Sequence, residues 1–145
     1  MKKLIILIVL FISSSTISFA QYCENESVNR FIVEWIGKPY KLGGFSSSGI
    51  DCSGLVKKFY KDICEIDIPR VCYQQWNATT RILKSDLVIG DIVFFNSPVS
   101  PSGWHCGIYI GGNKFLHASN RIEGVKISSL DDDLYKKRYK GAGHF

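Results

Sequence analysis

The segment Ser46–Tyr60 reads SSSGIDCSGLVKKFY, and the fold turns on how its cysteine is read. A Gly/Ser-rich run, Leu42 to Gly49, reads as a loop that delivers the chain to Asp51-Cys52-Ser53-Gly54. From Cys52 onward Leu55, Val56, Phe59, Tyr60 and Ile63 recur on one helical face, with Lys57, Lys58 and Lys61 on the other. Cys52 is therefore expected in the first turn of a helix. Unpaired N–H groups and the positive end of the helix dipole converge there, and both stabilise a thiolate. A free thiol titrates near ~8.5, and such surroundings lower that by several units. Two readings stand side by side: Cys52 as a structural half-cystine or as a nucleophile. Asp51 is well placed to cap the helix.

The surrounding pattern predicts an α+β domain. Val28, Phe31, Ile32, Trp35 and Ile36 fall at helical spacing between Glu24 and Ile36, and Gly37-Lys38-Pro39 stops that helix. After Asp86 the pattern shifts to period two. Asp91 to Phe95, Cys106 to Ile110, Lys114 to Ala118 and Gly124 to Ser128 read as strands, with Gly111-Gly112-Asn113 as a hairpin turn. Helices first and a strand meander afterwards indicate helices packed on an antiparallel sheet. Asp91 reads as a strand-entry or turn residue.

The chain has 145 residues, 46% hydrophobic, which suits one domain. Residues 1–20 read as a secretory signal peptide: a basic start at Lys2 and Lys3, the apolar run Leu4 to Ile12, and Ser18-Phe19-Ala20 as a cleavage pattern. Tyr22 directly before Cys23 disfavours a lipid anchor, so no membrane attachment is expected after cleavage. Residues 21–145 would form the single mature domain. Removing the two lysines lowers the net charge from +5 to +3. That charge gives mild attraction to anionic polymers and excludes a nucleic-acid footprint.

A thiolate nucleophile needs a base, and the mature chain offers His105, His117 and His144. His105 begins the Cys106–Ile110 strand and His117 lies across the glycine turn, so the two can face one side of the sheet. One imidazole would take the cysteine proton and the other would orient it. His144, at the frayed end of the chain, reads as a surface residue. Zinc held by Cys52, His105 and His117 lacks any supporting CxxC or HxxxH spacing, and no metal is expected.

These residues carry a resemblance. Gly37-Lys38-Pro39-Tyr40-Lys41-Leu42-Gly43-Gly44, Asp51 to Leu55, Pro69-Arg70, Leu87 to Phe95, His105 to Tyr109 and Phe115 to Ala118 form six motifs in order, over about 37–141. The chain resembles the NlpC/P60 family of cell-wall cysteine peptidases, which have a papain-like fold. The resemblance implies a Cys52–His105–His117 triad without metal or organic cofactor, and peptidoglycan stem peptides as substrate, cut between D-γ-glutamate and a diamino acid. It also implies that Tyr40 helps hold the oxyanion or substrate, and that Asp51, Ser53 and Arg70 lie on the substrate's N-terminal side. A muramoyl-alanine amidase or acyltransferase of the same fold, or a catalytically silent wall-binding module, remain the alternatives. Nothing in the sequence identifies an inhibitor protein.

Two departures stand out. Cys72 occupies a position near substrate that is often a serine or small polar residue in relatives. Cys106 follows the catalytic histidine where a branched residue is usual, and alternation assigns it to apolar packing. With Cys52 set apart, four cysteines allow three full pairings. Cys64 ends the nucleophile helix and Cys72 follows a short loop, so a Cys64–Cys72 disulfide is the first expectation.

Overall fold

A computed structural model describes residues 25–145, so the predicted signal segment and Cys23 lie outside the described residues. Helix α1 is Asn25–Trp35, and a short hairpin, β1 (Phe45–Ser46) and β2 (Gly49–Ile50), interrupts the predicted loop. Helix α2 spans Cys52–Ile63 and α3 Cys72–Ala78. Strands β3 (Thr80–Ile82), β4 (Ile92–Asn96), β5 (Trp104–Gly111), β6 (Lys114–Ala118) and β7 (Val125–Ser129) follow, then helix α4 (Asp133–Arg138) and strand β8 (Tyr139–His144). The larger sheet is antiparallel throughout, in the order β3-β8-β4-β5-β6-β7.

Period-two alternation divides this sheet into two apolar faces. One carries Ile92, Phe94, Cys106, Ile108, Leu116 and Ala118 and packs on Phe31, Trp35, Leu55, Val56 and Phe59 of α1 and α2. The ring of Phe59 meets Phe31 edge-on at 5.2 Å, which locks the two helices together. The other face carries Val93, Phe95 and Phe115 and is closed by Leu130, Tyr135 and Tyr139. His117 belongs to this second face, stacked at 4.7 Å on Phe115.

The sequence expectations fare unevenly. The two long helices and four strands stand within two residues of their expected ends, and Asn113 adopts the positive φ of 60° that the hairpin turn demands. Asp91 is a turn residue: its carboxylate accepts the Val88 N–H at 2.7 Å just ahead of β4. Two expectations are overturned. The Cys64–Cys72 disulfide is not formed: Cys72 is a buried free thiol that opens α3 and turns toward Cys106, while Cys64 C-caps α2. His144 is not frayed either; it ends β8 opposite Thr80, with its Nδ1 3.7 Å from Asp91.

Candidate active site

Helix α2 begins at Cys52 because Asp51 stops the extended chain there, at φ −99° and ψ 176°, and caps it. The Asp51 carboxylate is saturated. Oδ1 accepts the Gly54 N–H at 2.7 Å and Arg70 Nη1 at 2.8 Å, while Oδ2 accepts the Gly43 N–H at 2.7 Å and Arg70 Nη2 at 3.0 Å. Arg70 also donates to the Gly44 carbonyl and the Ser53 hydroxyl. This network fixes the loop before Cys52 to the irregular segment between α2 and α3 that holds Arg70. With Gly54 N–H consumed by the cap, the Cys52 and Ser53 N–H groups are left without an intrahelical acceptor at the sulfur.

The β5–β6 ladder pairs Gly111 with Lys114 and continues as far as Ile108 with Leu116. Beyond it the two strands are joined by side chains: His105 Nε2 lies 2.8 Å from His117 Nδ1. His117 Nε2 in turn lies 2.9 Å from the Ser128 hydroxyl of β7, with the Tyr135 hydroxyl at 3.4 Å. His117 is fully buried, and burial first, then the neighbouring His105 and Lys126, holds its pKa well below the usual histidine value. It is therefore neutral near pH 7. A neutral His117 that accepts from His105 at Nδ1 must carry its proton on Nε2 and donate to Ser128.

Cys52 completes the row. Its pKa is lowered well below the ordinary thiol value, chiefly by a hydrogen bond from the Cys106 thiol. Burial opposes this, while the charge and hydrogen bond of His105 and the Cys106 backbone N–H support it. Because His105 Nε2 is engaged by His117, its Nδ1 is the nitrogen left for the Cys52 side. Tyr40 borders the same sulfur: burial, then the negative charges of Cys52 and Asp51, raise its pKa and keep its hydroxyl protonated.

Tyr40, Asp51, Cys52, Ser53, Arg70, His105 and His117 thus converge on the start of α2 and the open end of β5, whereas Cys64 caps the far end of α2 and His144 ends β8 beside Asp91. Sequence reasoning missed two others, Ser128 and Gln75, and named Cys106 without its neighbours. Ser128 ends the histidine chain. Gln75, fully buried, donates to the Ser53 and Pro69 carbonyls at 2.9 Å, and its Oε1 lies 3.6 Å from the Cys106 sulfur as the alternative acceptor for the one thiol proton that otherwise points to Cys52. Cys106 is buried as expected, but it faces Cys52, Cys72 and Gln75 rather than hydrocarbon alone. Among the described residues no cluster of His, Cys, Asp and Glu is arranged to hold a metal ion.

Residues 37–144 match the NlpC/P60 family as a whole. The chain belongs to the NlpC/P60 family. It is 42% identical over 106 residues to a probable endopeptidase of Haemophilus influenzae, covering 73% of this chain and 65% of that protein. It is 41% identical over 109 residues to the murein DD-endopeptidase MepS/murein LD-carboxypeptidase of Escherichia coli, covering 75% of this chain and 56% of the relative. The chain therefore spans between about half and two thirds of these relatives' lengths. The crystal structure of an NlpC/P60 family protein from Bacillus cereus superposes with a TM-score of 0.75 at 29% identity, over 83% of this chain and 40% of that one. The papain-like α+β fold is that of the family.

Proposed function

We propose that this NlpC/P60 domain is an exported thiol peptidase that hydrolyses peptidoglycan stem peptides with Cys52 as nucleophile, His105 as acid–base and His117 as its orienting partner. The observation that carries this reading is the unbroken row from the Cys52 thiolate through His105 to a neutral His117, at 2.8 Å between the imidazoles. The thiolate attacks the amide carbonyl carbon, and the Cys52 N–H, with the Tyr40 hydroxyl, receives the developing oxyanion. His105 delivers its Nδ1 proton to the departing nitrogen as the tetrahedral intermediate collapses to a thioester. Water, deprotonated by the same nitrogen, then hydrolyses the thioester and restores the ion pair.

The bond we assign first is that between D-γ-glutamate and the diamino acid. A second reading, cleavage of the DD cross-bridge, is favoured by the name of the Escherichia coli relative. Export rests on the basic, apolar and small-residue order of residues 1–20.

Purified wall fragments digested and read by mass spectrometry test both points. The expected result is a cut within the stem, at one of these two bonds, that disappears in Cys52→Ala while the circular-dichroism spectrum is retained. Release of intact stems would instead mean an amidase, and cleavage by Cys52→Ala would falsify the nucleophile assignment.

A further inference from the structure

A cavity of about 340 Å³ opens beside His105 on the second face of the sheet, lined among others by Ser128, Lys126, Glu123, Asp132 and Arg138. We infer that this cavity receives the leaving half of the substrate and that Arg138 there takes a free carboxylate, so that the residue bearing the departing nitrogen is selected as an acid. The inference rests on the peptidase reading and adds the chemistry of its leaving-group side.

Position comes first. The departing nitrogen must take its proton from His105. Whatever is attached to that nitrogen lies next to His105, and the polar atoms of Asp51, Ser53 and Arg70 at the start of α2 are already bound to one another. The cavity shares its wall with His105 and meets this requirement.

Charge comes second. Of the charged groups lining the cavity, three are committed. The Lys126 ammonium is held by Glu123 at 2.7 Å, and the Glu123 carboxylate also accepts from Ser119 and Asn120. The Asp132 carboxylate accepts the Ser129 N–H at 3.3 Å. Arg138, the last residue of α4 and half-buried, enters no salt bridge among the described residues. A guanidinium offers five N–H donors in a planar fork matched to a carboxylate, and part-burial beside an enclosed wall strengthens such a pair relative to open water.

Two synthetic peptides that differ only in the residue after the cut, one ending in a free α-carboxylate and the other in a carboxamide, provide the test. Wild type is expected to favour the acid at least tenfold in kcat/KM, mainly through KM, because binding that persists from ground state to transition state moves KM. In Arg138→Gln the acid-to-amide ratio should fall to near one, and Arg138→Lys should restore part of it. Raising the salt concentration should shrink the wild-type ratio and leave the Gln variant's ratio flat. A ratio that survives Arg138→Gln, or a wild type that cuts both peptides alike, overturns the assignment. A wild type that cuts neither peptide and leaves wall fragments intact overturns the peptidase reading, and the Arg138 role with it.

Discussion

At the scale of single residues, the Ser128 hydroxyl decides which nitrogen of His117 carries the proton. Without an acceptor at 2.9 Å, the Nε2–H of a fully buried imidazole has only the Tyr135 oxygen at 3.4 Å. A buried donor left unpaired costs about 1–3 kcal/mol, and ring rotation or the other tautomer then competes with the arrangement that accepts from His105. Ser128→Ala is expected to lower kcat roughly tenfold with KM little changed, and Ser128→Thr to recover most of it. An Ala variant with wild-type kcat would remove Ser128 from the relay. The pairing of His105 with His117 was legible in sequence because a glycine hairpin and strict alternation put both on one face. Ser128 was not, since the register of β7 on β6 depends on how the Ser119–Gly124 turn closes, through Asn120 and the Gly124 N–H. Cys106 shows the same limit. Alternation gave its face correctly, but nothing local announced that the start of α2 would arrive against its thiol.

At the scale of elements, the site depends on how closely β6 approaches β5. Gly107 sits where the two strands part, and a Cβ built on it would lie 2.7 Å from Phe115 Cδ2, 2.8 Å from the Leu116 carbonyl and 3.1 Å from His117 Cβ. The middle contact is backbone and cannot swing aside. Gly107→Ala should therefore push β6 outward, carry His117 off His105 and cut kcat by one to two orders of magnitude, at a cost of about 1–3 kcal/mol in stability. Kinetics alongside thermal unfolding check this; wild-type turnover in the Ala variant would show that the spacing has slack. The same need for close approach explains why β8 escaped the sequence reading. Tyr139–His144 contains Gly141 and Gly143, poor strand formers, yet it lies in the sheet between β3 and β4. A Cβ at Gly141 would meet the Trp76 ring at 3.0 Å and one at Gly143 the Thr79 hydroxyl at 2.7 Å, so tertiary contact, not propensity, chooses glycine there. Helices α3 and α4, of 7 and 6 residues, are too short for periodicity to declare them. The long helices and the β4–β7 meander were legible because each buries a face wide enough to impose its period.

At the scale of the whole molecule, the burial that keeps His117 neutral also links folding to pH. His117 is packed on Phe115 and edge-on to Tyr135, and a positive charge on it would be disfavoured by burial first and then by His105 on β5 and Lys126 on β7. Its pKa is lowered in the folded state, whereas in the unfolded chain it titrates near ~6.5. Between these values the unfolded chain binds the extra proton, so stability rises with pH across that window and is lost as pH falls below ~6.5 toward the folded value. Of the other groups whose pKa shifts on folding, half-buried Cys52 and buried Asp91 bear on the range at and below neutrality. Cys52, whose pKa is lowered, acts in the same direction as His117 up to the unfolded thiol range, and Asp91, whose pKa is raised by burial, acts in the opposite direction from ~3.9 upward. The His117 contribution is isolated in a Cys52→Ala background, with Asp91 common to both proteins compared. Calorimetric Tm should fall between pH 7 and pH 5 in Cys52→Ala, and fall distinctly less in Cys52→Ala/His117→Asn, where an uncharged amide replaces the imidazole. Parallel Tm curves for the two proteins would mean that His117 takes up its proton in the folded state as readily as in the unfolded one. The burial of His117 would then no longer hold it neutral below pH 7, and the orienting partner of His105 would gain a proton, and lose its capacity to accept, just below neutrality.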